Sequence, residues 1–126
     1  MIKELTKILT TQEVAERFDE LAQQEKWFEI HDEFFAEDVK SIEPINSPYL
    51  KYAEGIDVVR KKASDFVEKV EALHGAHTSH PVVGGNHFSV ARNMDLTVKG
   101  FGRIQIDEIM LYEVNNGQIV SEQFFY

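Results

Sequence analysis

The fold turns on residues 87–98, His87-Phe88-Ser89-Val90-Ala91-Arg92-Asn93-Met94-Asp95-Leu96-Thr97-Val98, set between Gly84-Gly85-Asn86 and Gly100-Phe101-Gly102. Side chains of a strand alternate between its two faces, and the apolar set marks the buried face. The even positions Phe88, Val90, Arg92, Met94, Leu96 and Val98 therefore face the core, and His87, Ser89, Ala91, Asn93, Asp95 and Thr97 face away. A two-residue turn at the preceding glycines carries this parity back along the chain. It assigns His77, Ser79, Pro81 and Val83 to the inner face and sends His80 outward with His87.

Across Gly100-Phe101-Gly102 a three-residue loop keeps even facing even, so Ile104, Ile106, Glu108, Met110, Tyr112 and Val114 are inner. A two-residue turn at Asn116-Gly117 then brings Ile119, Ser121, Gln123 and Phe125 to the same side. Four antiparallel strands from about Ala76 onward are the result. A single bulge in any of them reverses every assignment beyond it. The opposite face holds Ile109, Leu111, Val120, Phe124 and Tyr126. A sheet apolar on both faces is usually covered on both, and the expected cover is a second copy, a homodimer through the outer face.

Upstream the period is helical. Thr10 and Glu13 stand in the S/T-x-x-E arrangement of a capping box, and Val14, Phe18, Leu21 and Ala22 follow on one helical face. A second short helix carries Trp27, Ile30, His31, Phe34 and Phe35. Glu43-Pro44 and Ser47-Pro48 interrupt regular structure. A third helix runs from about Ile56, with Val59, Ala63, Phe66, Val70 and Leu73 on one face and Gly75 as its C-cap. Three helices followed by an antiparallel sheet make one α+β domain over residues 1–126.

The composition removes whole classes of function. With no cysteine, disulfides, thiolate nucleophiles and cysteine metal sites are excluded. Lys+Arg 13 against Asp+Glu 22 leaves a net charge of −9, which opposes nucleic acid and anionic membranes, so neither is expected as a partner. No stretch approaches the ~18 apolar residues of a membrane span. Residues Met1 to Lys7 lack the apolar core of a leader, so cytoplasmic residence is expected. There is no P-loop, dinucleotide fingerprint or H-E-x-x-H.

Three motifs in order carry a resemblance. Trp27-Phe28-Glu29-Ile30-His31 through Phe35-Ala36-Glu37-Asp38-Val39 looks like a helix ending in "F-A-x-D-V". Gly55-Ile56, with Arg60 beyond, is similar to a "G-x-x-x-I-R" helix start, and Tyr112 to Val120 resembles a closing hairpin built on "D-G-K-I". Together, from about Thr10 to Tyr126, they resemble the SnoaL-like, or nuclear transport factor two-like, superfamily that includes the ketosteroid isomerases. The resemblance implies a cystatin-like cone, its three helices packed on the concave face of a curved, mainly antiparallel sheet around an apolar pocket. It also implies a small-molecule ligand, and members range from isomerases, cyclases and dehydratases to proteins that only bind.

The ketosteroid isomerases pair an acidic base with a tyrosine–aspartic acid oxyanion hole. The acid–proline pair after "F-A-x-D" puts Glu43 at the base position. The two oxyanion donors fall near Phe18 and Met110, neither of which can donate, so steroid isomerisation is not expected. The expectation is instead proton transfer on an apolar carbonyl compound, with Glu43 as base and His77 and Tyr112 as hydrogen-bonding partners. Phe18, Trp27, Phe88, Arg92, Met94, Glu108, Met110, Gln123 and Phe125 would line the pocket. Arg92 and Glu108 on neighbouring strands read as a structural ion pair before an anion site. His74, His77 and His80 do not converge, so no metal is expected, nor any other cofactor. The competing readings are a non-catalytic ligand-binding or dimerisation module and a module for a protein partner.

Overall fold

The computed structural model describes residues 7–126, so part of the stretch read for a leader, Met1 to Thr6, lies outside the described residues. Helix α1 (Thr11–Ala22) opens on the expected capping box: Glu13 N donates to Thr10 Oγ1 at 3.1 Å and Thr10 N to Glu13 Oε1 at 3.0 Å. It closes with Lys26 N on Leu21 O and Glu25 N on Ala22 O, the bond pair of a Schellman motif. The left-handed position of that motif is held by Glu25, at φ 59°, where glycine is usual. Helix α2 (Trp27–Phe34) follows at once.

Phe35 ends α2 in extended backbone and begins strand β1 (Phe35–Ile42), so the "F-A-x-D-V" residues form a strand and not a helix end. The short strand β2 (Ala53–Glu54) leads into α3 (Ile56–Lys69). The third helix is shorter than its periodicity predicts. Strand β3 (Val70–Thr78) starts without an intervening turn, placing Val70, Leu73 and Gly75 in the sheet, so Gly75 caps nothing. Lys99 N donates to Lys69 O at 2.8 Å and pins the junction. Strands β4 (Val82–Gly84), β5 (His87–Val98), β6 (Gly102–Asn115) and β7 (Gln118–Phe125) complete the chain.

Among the described residues the sheet has seven strands in the order β2-β1-β7-β6-β5-β3, with β4 beside β5. Every pairing is antiparallel except β1 with β7. This is an α+β cone: three helices against one face of a large sheet that stays open. No helix among the described residues is long and apolar enough to cross a membrane.

The parity of β5 and β6 holds throughout, with Val90 opposite Met110, Arg92 opposite Glu108 and Leu96 opposite Ile104. Elsewhere the register shifts at several points, and two of these irregularities move expected site residues. Across Ser79–Pro81 the pairing slips by one residue, so Thr78 lies opposite inner Arg92 and His77 opposite outer Asn93. Ser79 causes the slip by donating its own N–H to Ala91 O and accepting the Ala91 N–H on its hydroxyl, both at 2.8 Å, before Pro81, which has no N–H. In β7, Val114 pairs with Ile119 but Glu113 with Ser121, leaving Val120 bulged. Beyond it Glu122 and Phe124 turn inward opposite Tyr112 and Met110, whereas Ser121, Gln123 and Phe125 turn outward. The outer apolar set is thus Ile109, Leu111 and Phe125: of the other residues expected there, Phe124 and Tyr126 line the inner cavity and Val120 sits in the bulge.

Candidate functional site

A cavity of about 570 Å³ lies between the helices and the inner sheet face. Met94, Leu96, Ile106 and Met110 from β5 and β6 form its floor, with Phe66 and Ala63 of α3 and Trp27 of α2 along its sides. Behind the floor, Phe18 and Phe88 are fully buried against Tyr112, with ring centroids 4.7 and 5.1 Å from that of Tyr112. Both were expected to touch a ligand. They instead form the core that holds Tyr112 in place, and only Trp27, Arg92, Met94, Glu108 and Met110 of the expected lining set, with Tyr112 and Glu43, reach the cavity.

Gln123 and Phe125 are absent from it because the Val120 bulge turns them outward. Their places are taken by Glu122 and Phe124, which the alternation of the sequence conceals. His77 is likewise excluded: it is exposed on the outer face, away from this cavity. His74 bonds the Thr97 hydroxyl at 2.8 Å and His80 the Asp19 carboxylate at 2.8 Å, so the three histidines have separate roles.

The charged residues of the cavity are mostly paired. Glu43 is buried and engaged at both oxygens, Oε2 by Lys62 Nζ at 2.9 Å and Oε1 by the Tyr126 hydroxyl at 2.7 Å. Arg92 does form an ion pair, but with Glu25 and not with Glu108. Its two terminal nitrogens donate to the Glu25 oxygens at 2.8 and 3.1 Å, and Nη1 also to Thr78 Oγ1 at 2.8 Å. The guanidinium lies 4.7 Å over the Trp27 ring, and Trp27 Nε1 donates to the same Glu25 at 2.9 Å. The left-handed turn at Glu25 aims its carboxylate at Arg92, which accounts for a non-glycine residue there.

On the sheet face of the cavity, two carboxyl groups, Glu108 and Glu122, have no cation within ion-pair distance among the described residues. Glu108 makes no hydrogen bond, and burial, then the negative charge of Glu43, push it up to about 7. Glu122 accepts the Ser41 hydroxyl at 2.7 Å, and burial raises it to about 7 as well. Tyr112 is 2% exposed and bonds to nothing among the described residues, yet its hydroxyl is not sealed off from the cavity. Burial, Glu122 and Glu108 raise it well above the usual phenol value, so it stays protonated. His31, the ring of which stacks 4.3 Å from Phe35, also borders the cavity, and burial lowers it to about 4. Its Nδ1 is buried without a partner. Helical spacing from Trp27 was the sequence signal for that position.

Residues 9–126 match the sequence model of the SnoaL-like domain. The chain belongs to the SnoaL-like family. A crystal structure of a candidate SnoaL-like polyketide cyclase from Mesorhizobium loti is 33% identical, with a TM-score of 0.87 over 94% of this chain and 100% of that one. More distant solved structures share the fold. A protein of cystatin-like fold from Xanthomonas campestris is 15% identical, with a TM-score of 0.75 over 93% of this chain and 90% of its own. A protein of ketosteroid isomerase-like fold from Catenulispora acidiphila, solved with trimethylamine, is 16% identical, with a TM-score of 0.67 over 93% and 87%. No curated protein matches the chain.

Proposed function

We propose that this SnoaL-like protein binds an apolar, carbonyl-bearing small molecule in the cavity and moves a proton on it, as an isomerase, cyclase or lyase of this family would. The observation that carries the reading is Glu108: an unpartnered carboxyl group in an apolar cavity, poised near neutral pH, on the same strand face as the free Tyr112 hydroxyl. A general base works best when its pKa lies near the operating pH. Glu108 takes the proton from the carbon beside the carbonyl, and Tyr112 donates a hydrogen bond to the oxygen on which negative charge gathers. The proton then returns from Glu108 to the product. Glu43, the base expected from the acid–proline pair, has both oxygens engaged, and its role here is to anchor Lys62 and Tyr126 at the rim. The likeness to the Mesorhizobium loti protein supports this class of chemistry.

The test is solvent deuterium exchange into a panel of apolar ketones, followed by mass spectrometry. The protein should catalyse exchange on at least one ketone, and Glu108→Gln should lower that rate by at least about 100-fold while leaving binding in place. Binding without exchange would favour the non-catalytic module. For the outer face we propose a homodimer seated on Ile109, Leu111 and Phe125, the first and last of which are 46% and 48% exposed and directly paired. Sedimentation equilibrium showing a monomer at micromolar concentration would refute it.

A further inference from the structure

The proton-transfer step uses one of the two unpaired carboxyl groups and leaves Glu122 without a task. Glu122 is 7% exposed and sits directly opposite Tyr112 in the β6–β7 register, on the inner face. Its Oε2 is satisfied by Ser41, and no hydrogen bond engages Oε1 among the described residues. The two cations that reach the inside of the cavity are already committed, Lys62 to Glu43 and Arg92 to Glu25, and the third that lines it, Lys26, is exposed at its edge. The cavity therefore holds more buried acid than base. A carboxylate in such surroundings is costly unless an opposite charge meets it. The Tyr112 hydroxyl, whose residue is 2% exposed and lies opposite Glu122, donates its one proton to the carbonyl oxygen and keeps its lone pairs open to a second, donating ligand atom. The aromatic walls suit a cation too, for two of the three cations that line the cavity lie over rings, Arg92 over Trp27 at 4.7 Å and Lys62 over Phe124 at 5.8 Å. At long range the net charge of −9 draws cations toward the molecule and repels carboxylate-bearing ligands.

We infer that the ligand is a basic amine as well as a carbonyl compound, and that its ammonium group is held by Glu122 beside the Tyr112 hydroxyl. The inference rests on the cavity being a ligand site, as proposed above, and adds the chemical class of what enters it. An ammonium supplies the missing charge, converts a buried acid into a charge-assisted hydrogen bond, and fixes which end of an apolar body points toward β7. Glu108 remains free for the carbon acid.

The experiment is calorimetric titration with a matched pair of probes, 4-phenylbutylamine and 4-phenylbutan-1-ol, which differ in the charged head alone. The amine should bind at least about tenfold more tightly than the alcohol to the unaltered protein. Glu122→Gln retains an acceptor for Ser41 but no charge, and should bring the ratio close to one. Glu108→Gln should leave it in place. An alcohol that binds as tightly as the amine overturns the inference and leaves the cavity reading intact, as does a Glu122→Gln protein that keeps its preference. Failure of both probes to bind overturns the cavity reading together with it. If Glu122→Gln does not fold, the ratio in the unaltered protein and in Glu122→Asp, which retains the charge and should retain the preference, still decides.

Discussion

Glu25 offers a prediction in which two effects of known sign are separable. Its carboxylate holds Arg92, whose side chain is 8% exposed, through contacts of 2.8 and 3.1 Å, and it also accepts Trp27 Nε1. Hydrogen bonds to charged groups contribute about 1.5–3 kcal/mol. The Glu25 side chain is 42% exposed, so water replaces part of what is lost, and Glu25→Ala should cost about 2 kcal/mol. Alanine keeps the other burden of the site, a left-handed backbone that costs a residue with a Cβ roughly 1 kcal/mol. Glycine removes it, so Glu25→Gly should cost only about 1 kcal/mol. The order is the reverse of that found within helices, where glycine is the worse replacement. Urea unfolding followed by the fluorescence of Trp27, the single tryptophan and the ring beneath Arg92, reads both variants. The reasoning is refuted if the alanine variant is as stable as the glycine variant, or if both lie within about 0.5 kcal/mol of the unaltered protein.

Other expectations follow from the same groups. Folded Glu108 keeps its proton up to about pH 7 while an unfolded glutamate releases it near 4.5, so its contribution is full below 4.5 and is lost as the pH rises through 7. Glu108→Gln, measured against the unaltered protein by denaturant titration, should therefore gain about 2–3 kcal/mol in relative stability between pH 4.5 and pH 8. His31 has the opposite sign: its folded value of about 4 lies below the unfolded 6.5, so stability present above 6.5 is lost as the pH falls toward 4. His31→Phe should remove that acid-side slope in thermal melts between pH 7 and pH 4. Gly117, at φ +75° with Leu9 N only 3.0 Å from where a Cβ would stand, should lose about 2 kcal/mol on substitution by alanine. Gly100, at φ +88° in open space, should lose about 1 kcal/mol, and equal losses in chemical denaturation would contradict the contact with Leu9.

The strands on either side of Gly100 were readable because alternation over twelve residues leaves a single solution. The Val120 bulge was not, since Ser121-Glu122-Gln123-Phe124-Phe125 has an aromatic residue on either parity and nothing in it marks an extra residue. That one insertion accounts for the exchange of Gln123 and Phe125 for Glu122 and Phe124 in the cavity. The slip at Ser79 displaced His77 in the same way, through a side chain standing in for backbone. At the α3–β3 junction, Val70 and Leu73 continue a helical spacing, and only pairing with β5 reveals a strand. The charge pairs were illegible for another reason. Glu25, Lys62 and Tyr126 reach their partners across 67, 19 and 83 residues of chain, and no local pattern records such distances.

The one parallel pairing has a kinetic consequence. Strand β1 lies between β2 and β7, second from one edge, so that side of the sheet waits for a partner about 80 residues away, as the Ser41–Glu122 bond shows with its separation of 81. Closing so large a loop is entropically slow, whereas the hairpins of β5, β6 and β7 are local and form early. The seam between β1 and β7 should then be the last to zip up. Until it does, β1 has no neighbour but β2 and β7 keeps a bare edge. That interval is when newly made chains are most exposed to pairing with one another.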